Sequence, residues 1–134
     1  MNAVVLDTNI VSFILKKNSR AKIYSPHFLG RRVVIAIMTV AELFQWSTTR
    51  KWGRRRINEM EAELARYTIL PEDIDTCRIW ATIRATRTSH GEPIAAQDAW
   101  IAATAVQHNL PLITHNPRDY RSIDGLVVIT ELTE

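Results

Sequence analysis

Ala3-Val4-Val5-Leu6-Asp7-Thr8-Asn9 opens the chain with an unbroken apolar run that meets an acid and then two small polar residues. A short apolar run without alternation is the pattern of a strand covered on both faces, as in a parallel sheet. The polar residues that follow suit the start of a helix, since Asp, Thr and Asn hold free backbone N–H groups at helix N-termini. The same strand-then-helix pattern recurs downstream. Residues 8–17 and 21–29 read as helices, with Gly30 placed to end the second. Residues 33–37 are β-branched and apolar, a second buried strand, and residues 39–49 and 54–66 read as helices. Thr68–Leu70 reads as a brief strand before Pro71, and residues 73–89 as a helix broken by Gly91 and Pro93. Residues 94–108 form an Ala-rich helix, whose small side chains allow close packing on a sheet, and residues 112–114 and 126–129 are the last strands. Strands alternating with helices predict an α/β domain with a mostly parallel sheet. Without repeats, low-complexity tracts or a Gly/Ser linker, residues 1–134 read as one domain.

In open parallel sheets, ligands bind outside the carboxyl ends of the strands. Asp7 stands there after the first strand, Glu42 one turn into the helix after the second, and Asn116 and Asp119 after residues 112–114. Asp98, in the first turns of the Ala-rich helix, joins the same edge if that helix runs antiparallel to the strand it precedes. Carboxylates about 4 Å apart at an effective dielectric near 20 repel by roughly 4 kcal/mol per pair. Such a cluster either holds a proton or is neutralised by divalent cations. All-oxygen donors suit Mg²⁺ or Mn²⁺, which can activate water and stabilise a leaving oxygen at a phosphodiester. Each acid also has a plainer reading. Asp7 can cap a helix, and Thr39-x-x-Glu42 matches a capping box. Asp98 can serve the helix dipole, while Asn116-Pro117 is a natural turn start that leaves Asp119 exposed.

Charge is distributed unevenly. Between Thr8 and Asn58 lie Lys16, Lys17, Arg20, Lys22, Arg31, Arg32, Arg50, Lys51, Arg54, Arg55 and Arg56, against the single acid Glu42. A basic half suits a polyanion such as RNA or DNA, although a solvated Arg-rich surface gives the same pattern. In Arg50-Lys51-Trp52-Gly53-Arg54-Arg55-Arg56 an aromatic stands among the charges, where it could stack a base. The lone Cys77 excludes an internal disulfide and a Cys-based zinc site, and reads as a buried small hydrophobe. His27, His90, His108 and His115 lack paired metal-ligand spacing; His115 alone is of interest, beside Asn116. No apolar run approaches the roughly 18 residues of a membrane span, and the N-terminus lacks a secretory h-region. Together these features fit a reducing cytoplasm.

At these residues the chain resembles the PIN-domain family, and within it the VapC-like toxins of bacterial toxin–antitoxin modules. The matching pieces are Val5-Leu6-Asp7-Thr8-Asn9, Thr39-Val40-Ala41-Glu42-Leu43, Gln97-Asp98-Ala99-Trp100-Ile101-Ala102-Ala103 and Leu112-Ile113-Thr114-His115-Asn116-Pro117-Arg118-Asp119-Tyr120. The resemblance implies a five-stranded parallel sheet flanked by helices and a Mg²⁺- or Mn²⁺-dependent endoribonuclease that leaves a 5′-phosphate and a 3′-hydroxyl. It implies Asp7, Glu42 and Asp98 as metal-binding catalytic acids. Asp119 is the choice for the fourth, with Asn116 the competing position. Thr8, Asn9 and Thr39 match supporting polar positions, and Arg50, Lys51, Arg54, Arg55 and Arg118 are the candidates to hold RNA. A cognate antitoxin and a homodimer are implied as partners. Ile14, Phe44, Trp46 and Trp52 are candidates for those contacts, with core packing as the alternative.

Rival α/β chemistries fit less well. A haloacid-dehalogenase-type phosphatase would want Asp-x-Asp after the first strand, where Asn9 stands, and a receiver domain needs a mid-chain Asp that residues 43–71 lack. A PIN module that binds without cutting is the remaining alternative; it would be expected to have lost acids, whereas all four are present.

Overall fold

The structure, a computed structural model, describes residues 2–132. Its strands are β1 (Ala3–Leu6), β2 (Arg32–Ala36), β3 (Thr68–Leu70), β4 (Leu112–Ile113) and β5 (Val128–Ile129). They form one sheet in the order β3-β2-β1-β4-β5, and every pairing is parallel. The helices are α1 (Thr8–Leu15), α2 (Ser19–Tyr24), α3 (Ile37–Thr49), α4 (Arg54–Leu64), α5 (Ile74–Ser89) and α6 (Ala96–Gln107). The expected α/β architecture is therefore present.

The opening run shows why the sheet is buried on both sides. Ala3 and Val5 point into one core with Ala99, Ala102 and Ala103 of α6 and Ile83 of α5. Val4 and Leu6 point into the other, with Ile10 and Val11 of α1, Leu43 of α3 and Met60 of α4. Alternate residues of one strand thus feed two apolar layers, so no polar position is available along it. Ala99, Ala102, Ala103 and Ala105 are fully buried, which lets α6 lie close on the sheet. The order of connections reverses between β1 and β4. Outside their carboxyl ends lies the crevice of the sheet's switch point.

Several boundaries differ from expectation. The second helix begins at Ser19, capped by the Asn18 side chain, and gives way at Ser25 to a 3₁₀ turn, Ser25–His27. Pro26 lacks the N–H that would continue an α-helix, so residues 21–29 are not one element. Gly30 lies in the following turn at φ +78°. The Ala-rich helix starts at Ala96 rather than 94, with Ile94 buried just ahead of its cap. Cys77 is exposed, not buried. Thr76, Ile83 and Arg87 define the inward face of α5, and Cys77 stands one residue round from it. No helix among the described residues is long and apolar enough to cross a membrane.

Candidate active site

Asp7 leaves the end of β1 fully enclosed, only 4% exposed. It caps α1, and its Oδ1 accepts from the Thr8 backbone N–H at 2.8 Å. Two further donors fix it: the Thr114 hydroxyl at 2.7 Å on Oδ2 and the Tyr120 hydroxyl at 3.0 Å on Oδ1. Thr114 is there because β1 and β4 pair Val5 with Leu112 and Leu6 with Ile113, which carries the next residues, Asp7 and Thr114, side by side. Burial nevertheless raises the Asp7 pKa; its hydrogen bonds oppose the rise and the charge of Asp119 adds to it.

Glu42 reaches the same crevice from α3. That helix begins at Ile37 with Ala36 as its uncapped N-cap residue, so Thr39 and Glu42 are not a capping box. They turn to α1 instead. Glu42 Oε1 accepts from the Thr8 hydroxyl at 2.8 Å, and the hydroxyls of Thr8 and Thr39 lie 3.0 Å apart. A hydroxyl has one proton, and Thr8 gives its own to Glu42, so Thr39 donates to Thr8. Thr39, Thr8 and Glu42 form a relay ending on a carboxylate whose pKa is raised, first by burial and then by Asp7.

Asp98 occupies the first turn of α6, half-buried. Its pKa is pushed up to about 7, by burial first and then by the charges of Asp7, Asp119 and Glu42. The Tyr120 hydroxyl that serves Asp7 also lies 3.5 Å from Asp98 Oδ1, between the two acids. Asp119 stands exposed on the 3₁₀ turn Pro117–Tyr120 that follows β4. It lines a cleft of about 280 Å³ with Asp98, Arg87 and Arg118. Four carboxylates from four segments therefore share one electrostatic neighbourhood.

Asn116 plays a different part. It precedes that turn, and its backbone N–H donates to the Thr114 hydroxyl at 3.0 Å, steadying the group that holds Asp7. Among the described residues Asn9 makes no hydrogen bond to these acids. Thr114, Tyr120 and Arg87 carry no role in the sequence reading; register along β1 and β4 would have found Thr114, whereas the other two depend on how the turn folds back. His115 lies off the acids: its Nδ1 is 2.6 Å from the Tyr24 hydroxyl, and its ring meets Phe13 and Tyr24 edge-on. Burial and the charge of Arg20 hold its pKa down.

The donors are all oxygens and the charges that raise the Asp98 pKa are all carboxylates, which suits a hard divalent cation. Among the described residues no three Asp, Glu, His or Cys side chains form a ready cage for an ion. An ion here would keep part of its water shell, as Mg²⁺ commonly does.

Thr8→Val is expected to destabilise the protein by about 1–2 kcal/mol, since it strips both Glu42 and Thr39 of a partner. Thr8→Ser should recover nearly all of that. Urea unfolding at pH 7 is the check; a Val variant as stable as the parent would mean that the relay contributes nothing.

A family model described as PIN domain matches residues 4–126. Toxin FitB of Neisseria gonorrhoeae is 32% identical, over 92% of this chain and 95% of FitB. Ribonuclease VapC5 of Mycobacterium tuberculosis is also 32% identical, over 92% of this chain and 89% of that protein. The solved structure of VapBC-1 from nontypeable Haemophilus influenzae aligns with a TM-score of 0.81 at 28% identity, covering 96% of this chain and 97% of that one. With its β1 acid, switch-point crevice and parallel five-stranded sheet, the chain belongs to the PIN-domain family.

Proposed function

We propose that this chain is a metal-dependent endoribonuclease, the toxin of a toxin–antitoxin pair, acting in the cytoplasm. The observation that carries it is the convergence of Asp7, Glu42, Asp98 and Asp119 at the switch point, with Asp7, Glu42 and Asp98 all raised in pKa. Relatives named as ribonucleases and as toxin–antitoxin complexes support it. A binding-only module would have no use for mutually repelling acids.

Asp7, Asp98 and Glu42, with Asp119 from the turn, are the residues that would hold Mg²⁺ or Mn²⁺. When bound, the ion supplies an activated water and stabilises the leaving oxygen of a phosphodiester. Thr8, Thr114 and Tyr120 keep Asp7 in place, and the relay from Thr39 keeps Glu42 in place, so the acids need not reorganise as charge develops. In hydrolysis the water oxygen joins phosphorus and the bond to O3′ breaks, leaving a 5′-phosphate and a 3′-hydroxyl.

RNA would lie across the basic surface. Arg50, Lys51, Arg54 and Arg55 are exposed at the end of α3 and the start of α4, and Arg118 lines the cleft beside Asp98 and Asp119. At about 1.5 Å per residue along α3, Arg50 lies roughly 12 Å from Glu42, within reach of neighbouring phosphates on one strand. Lys51, two residues past the end of α3, stands at φ 53°, a left-handed position where glycine is the easier residue. The sequence offered Trp52 as a base-stacking platform, but its ring packs on the second core and Arg56 lies 4.2 Å from its centre. Trp46 and Ile14 are likewise core-facing. Of the four residues considered for partner contacts, Phe44 remains exposed, at 42%. It is the candidate for the antitoxin or for a second copy of the chain.

The test is incubation of labelled transfer RNAs and short single strands with the protein in Mn²⁺. Discrete cuts are expected. The double variant Arg54→Glu/Arg55→Glu should raise KM at least fivefold, leave kcat within about twofold, and flatten the log–log salt dependence by roughly 1.4. A folded wild type that binds Mn²⁺ and cuts none of these RNAs would defeat the proposal.

A further inference from the structure

Arg87 lies on the inward face of α5, 5% exposed, and among the described residues it is the only buried cation. Its donors go to main-chain carbonyls from two other segments. Nε donates to Glu92 O at 2.6 Å, and Nη1 to Asp119 O at 3.1 Å and Arg121 O at 2.9 Å. Glu92 belongs to the connection that leads into α6 and so to Asp98. Asp119 and Arg121 flank Tyr120, whose hydroxyl lies between Asp7 and Asp98. The same side chain forms part of the wall of the cleft lined by Asp98 and Asp119.

A buried guanidinium is costly to desolvate, and an apolar residue would pack this face of α5 more simply. What an apolar residue cannot do is hold three carbonyls at once, and a lysine's single ammonium cannot spread across them as the planar fork does. We infer that Arg87 is a positioning residue for the acid site, setting the distance between Asp98 on α6 and the Asp119–Tyr120 turn. The inference rests on the function proposed above, because only there does that distance matter. Arg87 contacts neither Asp98 nor Asp119 through their carboxylates; it acts through the backbone that carries them.

The test uses the full chain with Arg87→Lys and Arg87→Met, assayed below the melting temperature of each variant and corrected to folded molecules. For Arg87→Lys, kcat is expected to fall at least tenfold with KM for RNA within threefold. Its dissociation constant for Mn²⁺, read by electron paramagnetic resonance, should weaken at least threefold, and Arg87→Met should be affected more strongly. A lower melting temperature with unchanged kcat and Mn²⁺ affinity per folded molecule would overturn the inference, leaving Arg87 a purely structural residue. So would a raised KM at unchanged kcat, which would make Arg87 a contact to RNA. If Arg87→Met does not fold, the lysine variant decides. If the wild type cuts no RNA, the functional proposal falls by itself, and the Mn²⁺ titration still tests Arg87: equal affinity in wild type and Arg87→Lys overturns its role.

Discussion

Asp98→Asn is expected to lower RNA cleavage at least a thousandfold while leaving the metal-free protein folded and, at pH 7 and above, more stable than the wild type. A thousandfold corresponds to about 4 kcal/mol of barrier, the scale of removing one anionic group from a charge-stabilising site. The amide keeps the shape of the side chain and an oxygen to face Tyr120, so the change is in charge alone. The stability gain follows from proton linkage. Asp98 titrates near 7 in the folded protein, against an ordinary value of 3.8. Between those values the folded state holds a proton that the unfolded chain has released, so stability falls as pH rises through the window, and the loss is complete above pH 7. Asparagine has no such loss. With allowance for water around a half-open carboxylate, its advantage in EDTA should grow from nothing near pH 4 to about 1–2 kcal/mol at pH 8. Urea unfolding at several pH values, beside initial rates in Mn²⁺, makes the comparison. Asp98 is a cleaner choice than Asp7, where three donors aim at two carboxylate oxygens and an amide nitrogen would have to face one of them. Wild-type turnover in Asp98→Asn would remove it from the site.

The acids were legible in sequence because strand ends are. An apolar run that stops at Asp7 announces a sheet edge, and the direction of the helix after residue 94 brings Asp98 to it. Glu42 was placed at that edge while its local role stayed open between a cap and a site; the cap is excluded, since the N-cap of α3 is Ala36, three residues before the Thr39 that a capping box requires. The supporting groups were less accessible. Thr114 depends on the register of β1 against β4, and Tyr120 on a 3₁₀ turn that folds its hydroxyl back beneath Asp7. Arg87 lies in a helix whose apolar pattern is weak, with Thr76 and Arg87 standing on its buried face. Cys77 failed for the same reason, because with few apolar markers the inward face of α5 cannot be located to within one residue. For Trp52 and Trp46 the core alternative holds. Aromatics among arginines look available to a ligand, yet here arginines lie over rings that the core already holds.

Removal of divalent metal is expected to abolish cleavage, and the dependence on metal should itself depend on pH in a defined direction. Asp7, Glu42 and Asp98 all hold protons more tightly than ordinary carboxylates, so protons and Mn²⁺ compete for the same oxygens. At a free Mn²⁺ concentration one hundred times its dissociation constant, linkage stabilises the protein by about 2.7 kcal/mol, or roughly 10 °C in Tm for a chain of this size. That shift should appear at pH 8, shrink on descent through pH 7 as Asp98 takes up its proton, and be small at pH 5.5; EDTA should reverse it throughout. Cleavage at limiting Mn²⁺ should climb with pH up to a midpoint near 7 and then level. Raising Mn²⁺ should move that midpoint downward, because the ion displaces the proton by mass action. A midpoint that ignored Mn²⁺ concentration would mean that the titrating group is not one that holds the ion, and Asp98 would then have to be reassigned from metal ligand to a group acting on the substrate itself.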